Sequence, residues 1–210
     1  VADIPVNTTD FGYLSAAANS DNLLINLNGS AVTINGANFA AGTATGTGTG
    51  GVSYALTGAN ISAFSGYDYT GTDASVHTLL STFYYGGNNR DETLTINGLT
   101  PGNTATLTVL GAAFGVGATS AREQQVTGSQ GFVLANYEEN NGMLSTLSYT
   151  TVVPASGTIS ITSHATDSGG DTLHYYGFTV AQSVPEPASL MLLGFGTVGL
   201  LIGAYRRRSR

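Results

Sequence analysis

The sequence predicts an all-β protein: an antiparallel two-sheet sandwich of jelly-roll type, followed by one C-terminal transmembrane helix. Three observations carry this. Between Leu23 and Val180 short runs alternate apolar with polar residues and are broken by Gly, Asn, Ser and Pro, which is the period of strands. No amphipathic helix of useful length interrupts them. The last apolar run, residues 188–205, is uncharged and continuous.

Taken in chain order, Leu23, Ile25 and Leu27 alternate with Leu24, Asn26 and Asn28, and Asn28-Gly29 then turns toward Val32 and Ile34. An Asn-Gly pair suits the two positive φ values of a type I′ hairpin turn, so a hairpin is expected here. Residues 40–51, AAGTATGTGTGG, are too small to fix a register and read as a flexible loop or a surface edge strand. Further strands are expected at 52–56, 78–85, 92–96, 104–110, 124–127, 144–151, 158–162 and 173–180. Roughly ten strands fit a two-sheet sandwich. Between the strands at 92–96 and 104–110 lies Gly98-Leu99-Thr100-Pro101-Gly102, where Leu99 can plug the end of the sandwich while Pro101-Gly102 turns the chain. This loop resembles connections in galactose-binding-like and other carbohydrate-binding β-sandwiches of bacterial surface proteins, and in fibronectin type III domains. That resemblance implies a sandwich more than it implies a ligand.

Composition narrows the function. The chain has 210 residues, no cysteine and no lysine. Its stability therefore rests on packing, hydrogen bonds or bound ions rather than on disulfides. Up to Ser183 two arginines face twelve carboxylates, a formal charge of −10. Such a body repels nucleic acid, whose binding needs clustered cations. The remaining four arginines, Arg206, Arg207, Arg208 and Arg210, crowd into the last five positions. The chain opens with Val1, which is the expectation for a polypeptide whose signal peptide has been removed.

Eighteen residues at 188–205 make a helix about 27 Å long, near the thickness of bilayer hydrocarbon. The arginines that follow would stay on the cytoplasmic side and leave the acidic body outside the inner membrane. Upstream stands Val184-Pro185-Glu186-Pro187. The prolines keep this stretch extended and non-helical. Pro-Glu-Pro, a short apolar helix and an Arg-rich end resemble the PEP-CTERM sorting signal of exported bacterial proteins. The resemblance implies an exosortase as partner, with Val184, Pro185, Glu186 and Pro187 as its recognition motif and release or attachment of the body after cleavage. The organisation expected is a sandwich at 1–181, a linker at 182–187, a membrane helix at 188–205 and a cytoplasmic tail at 206–210. Gly194-Phe195-Gly196-Thr197-Val198-Gly199 matches a dinucleotide-binding pattern by letter only, since no strand precedes it and no βαβ unit comes after it.

Little in the body reads as catalytic. His77, His164 and His174 lack metal-ligand spacing, and no nucleophile elbow occurs. Glu138 and Glu139 could pair across a site only from a loop, because neighbours on a strand point to opposite faces. Asp167 and Asp171 flank Ser168-Gly169-Gly170 and offer hard oxygen ligands for calcium, though a hydrophilic turn between the last two strands is the stronger reading. Tyr85, Asn88, Asn89 and Arg90, in FYYGGNNR, combine an aromatic ring with amides and a guanidinium in a turn, the chemistry of a glycan site. The expectation is a non-enzymatic surface or matrix protein without an essential cofactor, serving adhesion, biofilm or envelope structure, with self-association through weakly protected edge strands. Two alternatives stand beside it: a carbohydrate-binding module for extracellular polysaccharide, and a secreted hydrolase.

Overall fold

The computed structural model describes residues 11–12, 14–15, 18, 21–66, 73–86, 90–111, 122–139, 145–166 and 173–183. Its strands are β1 (Leu23–Leu27), β2 (Val32–Ile34), β3 (Ala37–Gly42), β4 (Thr45–Thr47), β5 (Ser53–Gly58), β6 (Ser62–Ser65), β7 (Thr82–Tyr85), β8 (Asp91–Asn97), β9 (Thr104–Gly111), β10 (Arg122–Gly128), β11 (Val133–Glu139), β12 (Ser145–Val152), β13 (Ile159–Ala165) and β14 (Gly177–Ser183). Among the described residues an α-helix, α1 (Ala74–Leu80), lies between β6 and β7, and a short 3-10 turn spans Thr49–Gly51.

The protein is all-β, as the alternation requires. One six-stranded sheet runs β12-β9-β14-β1-β3-β2, a second runs β11-β10-β13-β8-β5-β4, and β6 pairs with β7 alone. Alternation puts Leu94 and Ile96 of β8, Leu107 and Val109 of β9, Ile159 and Ile161 of β13, and Phe178 and Val180 of β14 into one buried cluster. That cluster takes residues from both sheets, an arrangement consistent with a sandwich. Leu99 is buried in it, closing the end as expected, and Gly98 and Gly102 take positive φ of 78° and 84° on either side.

A second cluster covers the outer face of the first sheet. Leu24 of β1, Ile34, Ala37 and Phe39 meet Val76, Leu79 and Leu80 of α1 and Phe83 of β7. Here the structure corrects a sequence expectation, because residues 78–85 are not one strand. Val76, Leu79 and Leu80 stand at helical i, i+3, i+4 spacing, so a helical turn buries all three on one face before β7 begins.

The first hairpin is also displaced. β1 does not pair with β2; it pairs in parallel with β3, with Ile25 opposite Ala40. The tight hairpin joins β2 to β3 through Asn35-Gly36, whose φ values of 51° and 83° are both positive, while Ile34 faces Ala37. At the expected turn only Asn28 has positive φ, 60°. Gly29 serves a different need, since a Cβ there would strike the Asn26 side chain. Residues 40–51 form the end of β3, the sheet-crossing segment and the edge strand β4, so the edge-strand expectation holds for part of that stretch. β14 continues through Ser183, two residues beyond the expected end of the sandwich at 181.

Candidate functional site

Topology brings the two described glycan candidates, Tyr85 and Arg90, to one end of the sandwich. β8 and β10 begin beside the end of β13, with Asp91 opposite His164 and Gln124 opposite Ala165. In the other sheet β12 and β14 begin beside the end of β9, where Ser145 faces Gly111 and Gly177 faces Leu110. Arg90 leads into β8 and Thr166 follows β13 at this end. Tyr84 of β7 and Tyr175 are joined by a two-way backbone bridge, at 3.0 and 2.9 Å.

Of the expected glycan residues, Tyr85 is half-buried, its ring 6.0 Å from Phe83 and 6.2 Å from His174, and Arg90 is exposed. Asn88 and Asn89 lie outside the described residues, as do Asp167 and Asp171. His174 is buried and stacks on Phe83 at 4.3 Å, which makes it a packing residue of the second cluster. His164 is exposed and meets Asp91 at 2.6 Å, a pair on the surface of the second sheet. His77 sits in α1. Among the described residues no group of three His, Asp or Glu could hold a metal ion. Glu138 and Glu139 lie on strand β11, not in a loop, in register with Glu123 and Arg122.

Beneath this end the structure places polar groups that sequence reading does not single out. Glu92 is fully buried and accepts a hydrogen bond from the Gly86 amide. Ser163 lies opposite it on β13, buried, with its hydroxyl 3.2 Å from the Tyr175 hydroxyl. Gln124 of β10 is buried as well. Gly86 must be glycine because a Cβ would overlap the Glu92 carboxylate. A signal for Glu92 exists: it occupies the inward phase of Glu92, Leu94, Ile96, where a carboxylate is out of place unless partnered.

Along one lateral side, where the chain crosses from β3 to β4, two clefts of about 410 and 270 Å³ adjoin through Ile25, Ala40 and Thr47. Tyr54 lines the larger. Burial raises its pKa, opposed by the hydrogen bond with the Thr43 backbone and reinforced by Tyr84. Asp21 lines the smaller, and burial raises its carboxyl above the ordinary range. Small side chains make up most of these walls, and neither cleft gathers the acid, base and nucleophile that chemistry needs.

The chain beyond Ser183 is of a different kind. Among the described residues no helix is long and apolar enough to cross a membrane. The expected membrane segment 188–205, the motif Val184 to Pro187 and the terminal arginines lie outside them. An all-β body joined to such a tail defines the class of exported proteins that carry a C-terminal sorting segment. The segment itself is specific: residues 183–209 match the PEP-CTERM protein-sorting motif. That motif implies export, a C-terminal membrane anchor before processing, and an exosortase as the processing partner.

The body is similar in fold to the extracellular domain of ANXUR2 from Arabidopsis thaliana, at 11% identity and a TM-score of 0.56, over 78% of this chain and 49% of that one. The chain thus spans about half of that ectodomain. It is similar also to a calcium-binding mutant of Bacteroides uniformis beta-glucuronidase 2, at 11% identity and a TM-score of 0.54, over 77% of this chain and 18% of that one. A family 35 carbohydrate binding module from Clostridium thermocellum aligns at 16% identity and a TM-score of 0.41, over 60% of this chain and 90% of the module. At these identities the first two likenesses speak for the fold alone. No curated protein matches the chain.

Proposed function

We propose that this is an exosortase-processed surface or matrix protein whose β body is non-enzymatic and serves adhesion, biofilm or envelope structure. The observation that carries the reading is the junction at Ser183: the last strand ends where the sorting motif begins, so the tail can be cut without opening the sheet. Before processing, residues 188–205 span the inner membrane with Arg206, Arg207, Arg208 and Arg210 inside, and the acidic body stands outside. Replacing Pro185, Glu186 and Pro187 together by Ala in the exporting cell should hold the full-length chain in the inner-membrane fraction. The unmodified chain should lose its tail and leave that fraction. Equal partition of the two would refute processing at this motif.

A second reading, binding of extracellular polysaccharide, has one feature in its favour. The end of the sandwich presents half-buried Tyr85 and exposed Arg90 above buried Glu92, Gln124 and Ser163. An aromatic ring and a cation at the same end suit a neutral or acidic sugar. Tyr85→Ala should then weaken retention of the folded protein on polysaccharide at least tenfold, with a lowered melting temperature because the ring also packs near Phe83 and His174. Undiminished retention would remove Tyr85 from any such site.

A further inference from the structure

The two sheets expose four edge strands among the described residues, β2 and β12 on the first and β4 and β11 on the second. Exposed edges invite pairing with another chain, and folded proteins blunt them with shortness, charge, proline or a bulge. Three of these four are blunted. β2 and β4 have only three residues each. β11 carries a register shift against Gln124 and Val126 of β10 and closes on Glu138-Glu139. β12 has none of these devices. It runs for eight residues, STLSYTTV, without charge, proline or glycine, and keeps an unbroken register with β9 from Ser145–Gly111 to Val152–Thr104.

We infer that β12 is a self-pairing edge, to which a second copy of this chain adds its own β12 antiparallel, joining two first sheets into one. The side chains select the register. Thr146, Ser148 and Thr150 face outward, Leu147 and Tyr149 inward. With Ser148 opposite the partner copy's Ser148, outward Thr146 meets Thr150 and inward Leu147 meets Tyr149, so both faces continue across the junction. A slip by one residue would set hydroxyls against the apolar face. The hydroxyl pairing is the one already present inside the sheet, where Thr106 and Thr150 lie 3.0 Å apart and Thr108 and Ser148 3.1 Å apart.

Charge and apolar surface point to the same side. A body of net charge −10 up to Ser183 repels its copies over most of its surface, and β12 is an eight-residue stretch free of charge. The large apolar side chains left exposed among the described residues are Val152, 60% accessible on β12, and Val133, 62% accessible on β11 at the same lateral side. The chain's own tail does not fit this edge, because Pro185 and Pro187 lack the amide protons a ladder needs. One pair of strands buries less than a stable soluble dimer requires, so the contact becomes populated when copies are crowded on a surface. In that respect it rests on the sorting reading.

The chain has no cysteine, so a single introduced thiol reports one position. The full chain carrying Ser148→Cys, held in detergent micelles with oxidised glutathione, should form disulfide dimer at least tenfold faster than Thr57→Cys, which is exposed on an interior strand of the other sheet. Thr150→Lys added to Ser148→Cys should abolish the excess and leave the melting temperature within a few degrees. Equal rates for the two cysteine variants, or an excess that survives Thr150→Lys, would overturn the proposal. Should Thr150→Lys fail to fold, the comparison of the two cysteine variants decides alone. Labelling of the Ser148→Cys thiol on intact cells by a membrane-impermeant maleimide tests surface display separately, so loss of one result does not imply loss of the other.

Discussion

At Gly42 and Gly46, where the chain changes sheets, the backbone runs close against Tyr54. The Tyr54 hydroxyl lies 2.6 Å from the position of a Cβ at either residue, and at Gly48 the Asn22 carbonyl is 2.5 Å away. These are closer than any real side chain permits, so the run approaches its neighbours closely at Gly42, Gly46 and Gly48, while Gly50 and Gly51 face open space. Gly46→Val is expected to cost about 1–3 kcal/mol, the range for overpacking, and to lower the thermal midpoint of the body by several degrees. A melt that does not move would mean the crossing yields easily. The low information content of the run explains why its sequence leaves loop and edge strand open: glycine reports neither period nor face. Glu92, by contrast, is legible in its inward phase, but a single buried carboxylate has no neighbouring partner in sequence to mark it.

Elements are legible where the alternation is long. β8, β9, β12 and β13 fall where the pattern puts them, within one to three residues at their ends, because each buries one face against the shared core. β3, β6 and β11 lie outside the expected strands, and the hairpin falls on a different Asn-Gly pair from the one expected. Alternation flanks Asn35-Gly36 on both sides, Val32 and Ile34 before it and Ala37 and Phe39 after, but which strand lies beside β1 is a long-range choice that no local pattern records. α1 is hard to read because its seven residues hold β-branched Val76 and Thr78 and run directly into an aromatic strand. Its role is to seal the second cluster. Leu79→Ala, at a fully buried position, should cost about 2–5 kcal/mol, measured by denaturant unfolding, with β-sheet signal retained below the midpoint. A loss under about 0.5 kcal/mol would show that α1 merely rests on the sheet, since a change that small is typical of exposed positions.

For the whole molecule, two six-stranded layers place Tyr85 and Arg90 at one end and leave β14 to carry the chain out through Ser183. The overall class is readable from composition and periodicity together: alternation marks the sheets, and the acidic body, apolar run and terminal arginines mark the division into body and tail. The make-up of that end is not readable in the sequence, because it is assembled from segments far apart in the chain, Tyr84 beside Tyr175 and Asp91 beside His164. The central claim is that the sorting tail is a separable appendage to a body complete at Ser183. Intact mass spectrometry of the protein's C-terminus, from cells with and without an exosortase, tests it most directly. A terminus cut near Pro185–Pro187 in the first cells and one that keeps residues 188–210 in the second is the predicted result; the same uncut terminus in both would contradict it.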